Sequence, residues 1–202
     1  MGYIYWLVEG FRRTGNMEPL QRAENLVFAW INAHRGYVFP PSNVSWSDHT
    51  MAIRTVSWID FWEAWIGTNL PSETKVRLFL ESLLAHGELL LDEGEYTNDS
   101  NHGMYQNIAL LVLAATFPEW NRSREAFRLS WNRLKRLLDF IVSANGVQLE
   151  HSSSYHLSTL NDLLELDRFL ARRQLELANR PDWTLRLRKM IEFSPLLLLP
   201  DG

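Results

Sequence analysis

NDSNHGMYQNIALLVLAATFPE, residues 98–119, joins two halves of opposite character. The first half is small and polar with one histidine, and the run from Asn107 to Phe117 is almost wholly apolar. Asn, Asp and Ser favour helix starts because a short side-chain oxygen accepts from the first unpaired backbone N–H groups. An apolar run with no polar stripe reads as a helix buried on nearly all sides. The stretch therefore predicts a central helix over about 102–117, with Asn101 as its cap. Capping alone would explain the polar half. So would an Asn101–His102 pair that handles a ligand, and the local sequence leaves both readings open.

Working outward, helical periodicity dominates and there is almost no apolar/polar alternation to mark strands. Helices are predicted at about 17–35, 48–68, 72–92, 102–117, 121–143, 154–178 and 182–193, with the N-terminal dozen residues as one more. Ser47 or Asp48, Ser72, Asn101, Asn121 and Ser153 suit helix starts, and Gly94 and Gly146 suit ends. Short connections (69–71, 118–120, 179–181) alternate with long ones (36–47, 93–101, 144–153). If successive helices run up and down, every long loop falls on one face. That rim would gather Trp46, Asp48, His49, Glu95, Asp99, Asn101, His102, Gln148, Glu150, His151, Tyr155 and His156. Long polar loops on a rigid scaffold are where function usually resides. No fixed-period repeat supports a regular solenoid. The expectation is an all-α chain, one helical domain over 1–202, built as an incomplete (α/α) toroid of antiparallel hairpins. Residues 194–202 read as the start of a linker.

Composition narrows the function classes. With 20 basic and 24 acidic residues the net charge is −4, so no basic field invites nucleic acid. No apolar run approaches the ~20 residues of a membrane span. The chain has no cysteine, which excludes disulfides and thiol chemistry within it. Met1–Val8 is apolar but Glu9 follows at once, with no basic n-region, so no signal peptide is expected here. Nine tryptophans suit a large core, helix packing or the stacking of sugar rings.

Three stretches, WSDHTMAIRTVSWIDF (46–61), NDSNHGMYQNIALLVLAATFPE (98–119) and NGVQLEHSSSYHLSTL (145–160), together resemble the N-terminal helical domain of the heparinase II/III-like polysaccharide lyases. In that family an Asn-His pair opens a buried helix and a Tyr-His pair follows the next long loop. The resemblance covers residues 20–202. It implies β-elimination on an acidic, uronic-acid polysaccharide such as a glycosaminoglycan or alginate, in the periplasm or outside the cell. It also implies a following β-sandwich domain, where this chain stops. Tyr155 would transfer protons, and Asn101 and His102 would stabilise the intermediate. Trp46, His49, Arg54, Glu150 and His156 are the candidate substrate-binding residues, with Arg54 as the expected cation. Each also has a plain reading: Tyr155 as an amphipathic helix start, Arg54 as a salt-bridge partner, His49 and Asp48 as a helix opening.

No cofactor is implied. A zinc site is not expected, because no His pair has i, i+4 spacing and His151 and His156 lie five apart. Three other readings stay open: a non-catalytic carbohydrate-binding helical domain, an α/α-toroid glycoside hydrolase, and a helical protein-interaction scaffold with no small-molecule site. The hydrolase would need two carboxylates across a cleft, from among Asp48, Glu95, Asp99 and Glu150.

Overall fold

The structure, a computed structural model, describes residues 2–34, 44–150, 152–175 and 180–197. It is all helical: α1 (Gly2–Thr14), α2 (Met17–Ala33), α3 (Asp48–Trp65), α4 (Glu73–Leu91), α5 (Asn101–Thr116), α6 (Ser123–Ile141), α7 (Ser153–Arg172) and α8 (Arg180–Phe193), with 3₁₀ turns at Val44–Trp46 and Ser194–Leu197. The single antiparallel bridge among the described residues, Val142 to Gln148, closes the turn after α6.

Helices α1, α3, α5 and α7 pack side by side in that order, and α2, α4, α6 and α8 each pack against their hairpin partner. The result is the expected incomplete toroid. α5 is its axis: Met104 and every residue from Gln106 to Ala114 are buried. Gly87 lets α4 approach this axis, since a Cβ there would lie 2.7 Å from Leu113 and 2.8 Å from Trp120. The tryptophans supply core on both sides of α3. Trp58 and Trp65 are fully buried; Trp65 stacks on Phe61, and both tryptophans meet Phe79 at a tilt. Each such side chain contributes about 1.5–3 kcal/mol on burial.

The helix ends show what the sequence left unread. Ser72 and Ser152 cap α4 and α7 by accepting from the N–H of Lys75 and Tyr155, so the α7 cap is one residue before Ser153. Asn101 is the first residue of α5 rather than its cap, a position that Ser100 takes without a side-chain bond. α6 is entered from Arg122, not Asn121. α7 ends at Arg172 instead of 178. Gln174 takes a left-handed φ of 55°, and the N–H groups of Gln174 and Leu175 return to the carbonyls of Ala171 and Leu170. This double return closes a helix, and it usually carries glycine. A glutamine there leaves no sequence signal. Part of the expected linker is structured: Ser194–Leu197 packs on α7 and α8.

Candidate functional site

The long loops lead into α3, α5 and α7, whose N-terminal ends form one rim, with α3 and α5 tied together by hydrogen bonds. Asp48 is the hub. Its Oδ1 accepts from the His49 backbone N–H (2.7 Å), while Oδ2 accepts from Thr97 Oγ1 (2.5 Å) and pairs with His102 Nδ1 (3.0 Å). Burial alone would raise the Asp48 pKa. The donors from Thr97, His49 and His102 outweigh it and hold the carboxyl below its ordinary value.

The His49 and His102 rings stack at 4.7 Å with 16° between their planes, and His49 also leans on Tyr105 at 4.8 Å. Burial, then the nearby His102, lowers the His49 pKa, so this ring is neutral at neutral pH. Tyr105 is the link to α7. Its hydroxyl faces Ser158 and Asp162 on α7, and Tyr155 lies close enough to influence its charge. Burial, then Asp162, raises the Tyr105 pKa, and burial likewise raises that of Asp162. Tyr155 itself is half exposed.

Thr97 reaches Asp48 because its loop is clamped onto the first turns of α5. Buried Gln106 accepts from the Thr97 N–H (2.9 Å) and donates to the Glu95 carbonyl (2.7 Å). Asn107 donates to the Tyr96 hydroxyl (3.2 Å), and the Arg133 guanidinium lies 4.2 Å over the Tyr96 ring. Gly103 makes the approach possible. A Cβ there would stand 2.2 Å from the Thr97 carbonyl oxygen, which no side chain tolerates. The glycine after Asn101–His102 is thus a requirement of the rim's geometry, and Asp99 takes a left-handed φ of 57° in the same turn.

Asn101, His102, His49 and Tyr155 come to this rim. Glu150 is exposed on the loop before α7, where its N–H is held by Gln148 Oε1 (2.8 Å). His151 lies outside the described residues. Three candidates turn inward instead. Arg54, only 2% exposed, donates from Nε to His86 Nε2 (2.7 Å) and from Nη1 to the Ser45 carbonyl (2.7 Å), with its plane 4.0 Å over Trp30. Trp46 joins the same cage, 5.1 Å from Trp30 and from His86. Neither the expected cation nor the expected stacking ring is therefore presented at the rim. His156 is buried, facing the Met190 carbonyl (3.1 Å) and Ser194 Oγ (3.2 Å), and so fastens α7 to α8.

Asp48 is expected from the sequence at the rim, as a helix opening or a hydrolase carboxylate but not as the partner of His102, and Thr97, Tyr105, Ser158 and Asp162 were missed. One signal was available for Tyr105: it stands four residues after Asn101 and three after His102, on one helix face. Nothing comparable marks Thr97, whose part depends on the tertiary clamp.

Below the rim, a groove of about 650 Å³ runs along the inner helices, sharing Tyr105 and Asp162 with it. Its floor includes Ile53, Val56, Ile108 and Phe169, and its walls carry Asp60, Glu63, Asp162, Glu165 and Arg172. Asp60 is paired with Arg12 (2.6 Å) and Glu63 with Arg173. Among the described residues no three His, Asp or Glu side chains converge to hold a metal.

A family profile described as the heparinase II/III N-terminus matches residues 21–202. No curated protein matches the chain in sequence. Among solved structures, heparan sulfate lyase HepC from Pedobacter heparinus superposes with a TM-score of 0.79 at 18% identity, over 98% of this chain and 31% of that one. A structure of heparinase III gives 0.79 at 18% identity, over 95% and 29%. A further heparinase III gives 0.74 at 15%, over 93% and 32%. The chain thus spans about a third of the length of these proteins, and at such identities the likeness is one of fold.

Proposed function

We propose a function from one premise: the chain belongs to the heparinase II/III family, whose N-terminal helical part it matches over residues 21–202. On this reading it is the helical portion of a polysaccharide lyase, acting on an acidic polysaccharide by β-elimination. Heparan sulfate is the first substrate to try, because a structural neighbour is named as its lyase. Alginate is the second. A periplasmic or extracellular location would suit such polymers, and no described helix is long and apolar enough to cross a membrane. A further domain, such as a β-sandwich, would supply the rest of the active site.

The chemistry explains the residue types. A base takes the C5 proton beside the uronate carboxylate, the C4–O electrons leave with the oxygen, a C4=C5 double bond forms, and the oxygen receives a proton. Removing C5–H next to an ionised carboxylate builds a second negative charge, which fixed donors must stabilise. Asn101 offers an amide N–H₂ that donates without ionising. It stands in the first turn of α5, a turn without acidic residues, where the helix dipole favours an anion. Tyr155 is assigned the proton transfer, to the leaving oxygen at least. His102 completes the grip on the sugar, with His49 behind it and Glu150 at the margin.

The observation that carries this reading is the shared rim: Asn101, His102 and Tyr155 open α5 and α7 on one side, joined through Tyr105. The experiment uses the full-length protein of which this chain is part. With heparan sulfate or alginate it should release a conjugated, ultraviolet-absorbing unsaturated uronide, which hydrolysis cannot give. Tyr155→Phe should abolish release and retain binding. Asn101→Ala should cost about 2.7–4 kcal/mol of transition-state stabilisation.

One observation favours a glycoside hydrolase as the second reading. Asp60 and Asp162 line the same groove, and burial raises the pKa of both, as a general acid requires. New reducing ends without the chromophore would decide for it. Tight sugar binding without cleavage would decide for a binding domain.

A further inference from the structure

We propose that Asp48 is a positioning residue that locks His102 as its Nδ1–H tautomer, so that neutral His102 presents Nε2 to the sugar as a hydrogen-bond acceptor. The role toward a sugar rests on the function proposed above; the tautomer does not.

The geometry leaves Asp48 little freedom. A carboxylate accepts only, and Oδ1 is already engaged by the His49 N–H, while Oδ2 takes the Thr97 hydroxyl. The His102 nitrogen 3.0 Å from Oδ2 must therefore carry the hydrogen. An isolated neutral histidine side chain prefers the other tautomer, with hydrogen on the nitrogen remote from the backbone, so the carboxylate imposes a choice the ring would not make alone. The stacked His49 ring at 4.7 Å opposes rotation of His102 out of this plane. Thr97 acts on the same oxygen from the loop that Gln106 and Gly103 hold down. On the other side of the ring, Nε2 makes no hydrogen bond among the described residues, and the side chain keeps 43% of its surface exposed.

A consequence follows for recognition. A neutral His102 with a bare Nε2 cannot donate to the uronate carboxylate, and the helix-opening Asn101 amide is left as the donor beside it. His102 instead accepts from a sugar hydroxyl or amide N–H next to the carboxylate. Two adjacent residues would thus read two different groups: Asn101 an anion, His102 a donor.

The test is long-range ¹H–¹⁵N spectroscopy of this chain, at a pH where the His102 ring is neutral. Wild type should show Nδ1 as the pyrrole-type and Nε2 as the pyridine-type nitrogen of His102. Asp48→Ala removes the acceptor altogether and should move Nε2 toward the pyrrole-type position. Thr97→Val deletes the second donor but keeps the carboxylate, so the wild-type pattern should persist. Unchanged His86 signals in both variants show that the fold is intact, and if Asp48→Ala does not fold, the wild-type and Thr97→Val spectra still decide. A wild-type His102 protonated on Nε2, or a folded Asp48→Ala with an unmoved Nε2, overturns the proposal. Because no catalysis is read, failure of the lyase reading would leave this result standing, and the reverse is equally true.

Discussion

His86 and His102 receive the same treatment at one nitrogen and opposite treatment at the other. Each has Nδ1 next to a fixed oxygen: the Ser82 carbonyl at 2.7 Å for His86, the Asp48 carboxylate at 3.0 Å for His102. At His86 the second nitrogen is consumed by Arg54 at 2.7 Å, inside a box of Trp30, Trp46 and Trp58. At His102 it is open. Both histidines lean on α3, one through Asp48 at its start and the other through Arg54 less than two turns deeper. The contrast separates a histidine that holds the fold together from one whose bonding capacity is kept for something else. Burial writes the difference into charge: it pushes the His86 pKa down to about 3, with Arg54 adding to the effect, and lowers that of Arg54 to about 10.

If the cage is structural, breaking it should give the largest loss of stability. Arg54→Ala would leave the fully buried His86 Nε2 without a donor and a void among three tryptophans. The expected cost is about 3 kcal/mol or more, read as a lower urea midpoint at unchanged slope. A near-neutral Arg54→Ala would mean that this arginine is kept for a ligand, and the contrast would collapse.

Next in size is Gly103→Ala. The added methyl cannot coexist with the Thr97 carbonyl, so the loop must shift, at about 1–3 kcal/mol. Its sharper signature is local: the Thr97–Asp48 bond should be lost, which faster amide exchange over residues 95–100 would report.

The pH dependence comes third. His86 is neutral in the fold down to about pH 3, whereas an unfolded histidine titrates near 6.5. Above that pH both states are neutral and the group adds no slope. Below it the unfolded chain takes a proton that the folded chain refuses, so stability should fall by about 1.4 kcal/mol per pH unit at most. Asp48, held low, adds a loss further into acid, as pH falls through its folded pKa. His86→Gln, which can still accept from Arg54, should flatten the upper part of this slope in pH-dependent melts.

The smallest effect belongs to the rim. His102→Ala should change stability by no more than about 0.5 kcal/mol, because the ring is half exposed and its removal opens no core. The same variant should lose affinity for an acidic polysaccharide, measured by calorimetry. A large stability loss would put His102 with His86.

The sequence made the scaffold legible because helical periodicity and loop length are local signals. All the expected helices formed, and the alternation of short and long connections placed α3, α5 and α7 with their starting ends together. The site was only half legible. Asn101, His102 and Tyr155 stand in polar stretches at helix starts, and the family resemblance named them. Arg54, Trp46 and His156 stand equally close to those stretches, yet each points inward. Which way a side chain turns near a helix start depends on what the neighbouring helix offers, and His86, Ser194 and the tryptophan box come from distant parts of the chain. The same reason hid Thr97 and Tyr105, whose partners lie on α3 and α7.

The most direct measurement is an NMR titration of this chain with a heparan sulfate oligosaccharide, following the side-chain signals of His102, Asn101, Tyr155 and His86 together. Saturable shifts at His102, Asn101 and Tyr155 with His86 unmoved are the predicted result. Shifts at His86 and the tryptophan indoles around Arg54, with the rim silent, would contradict it.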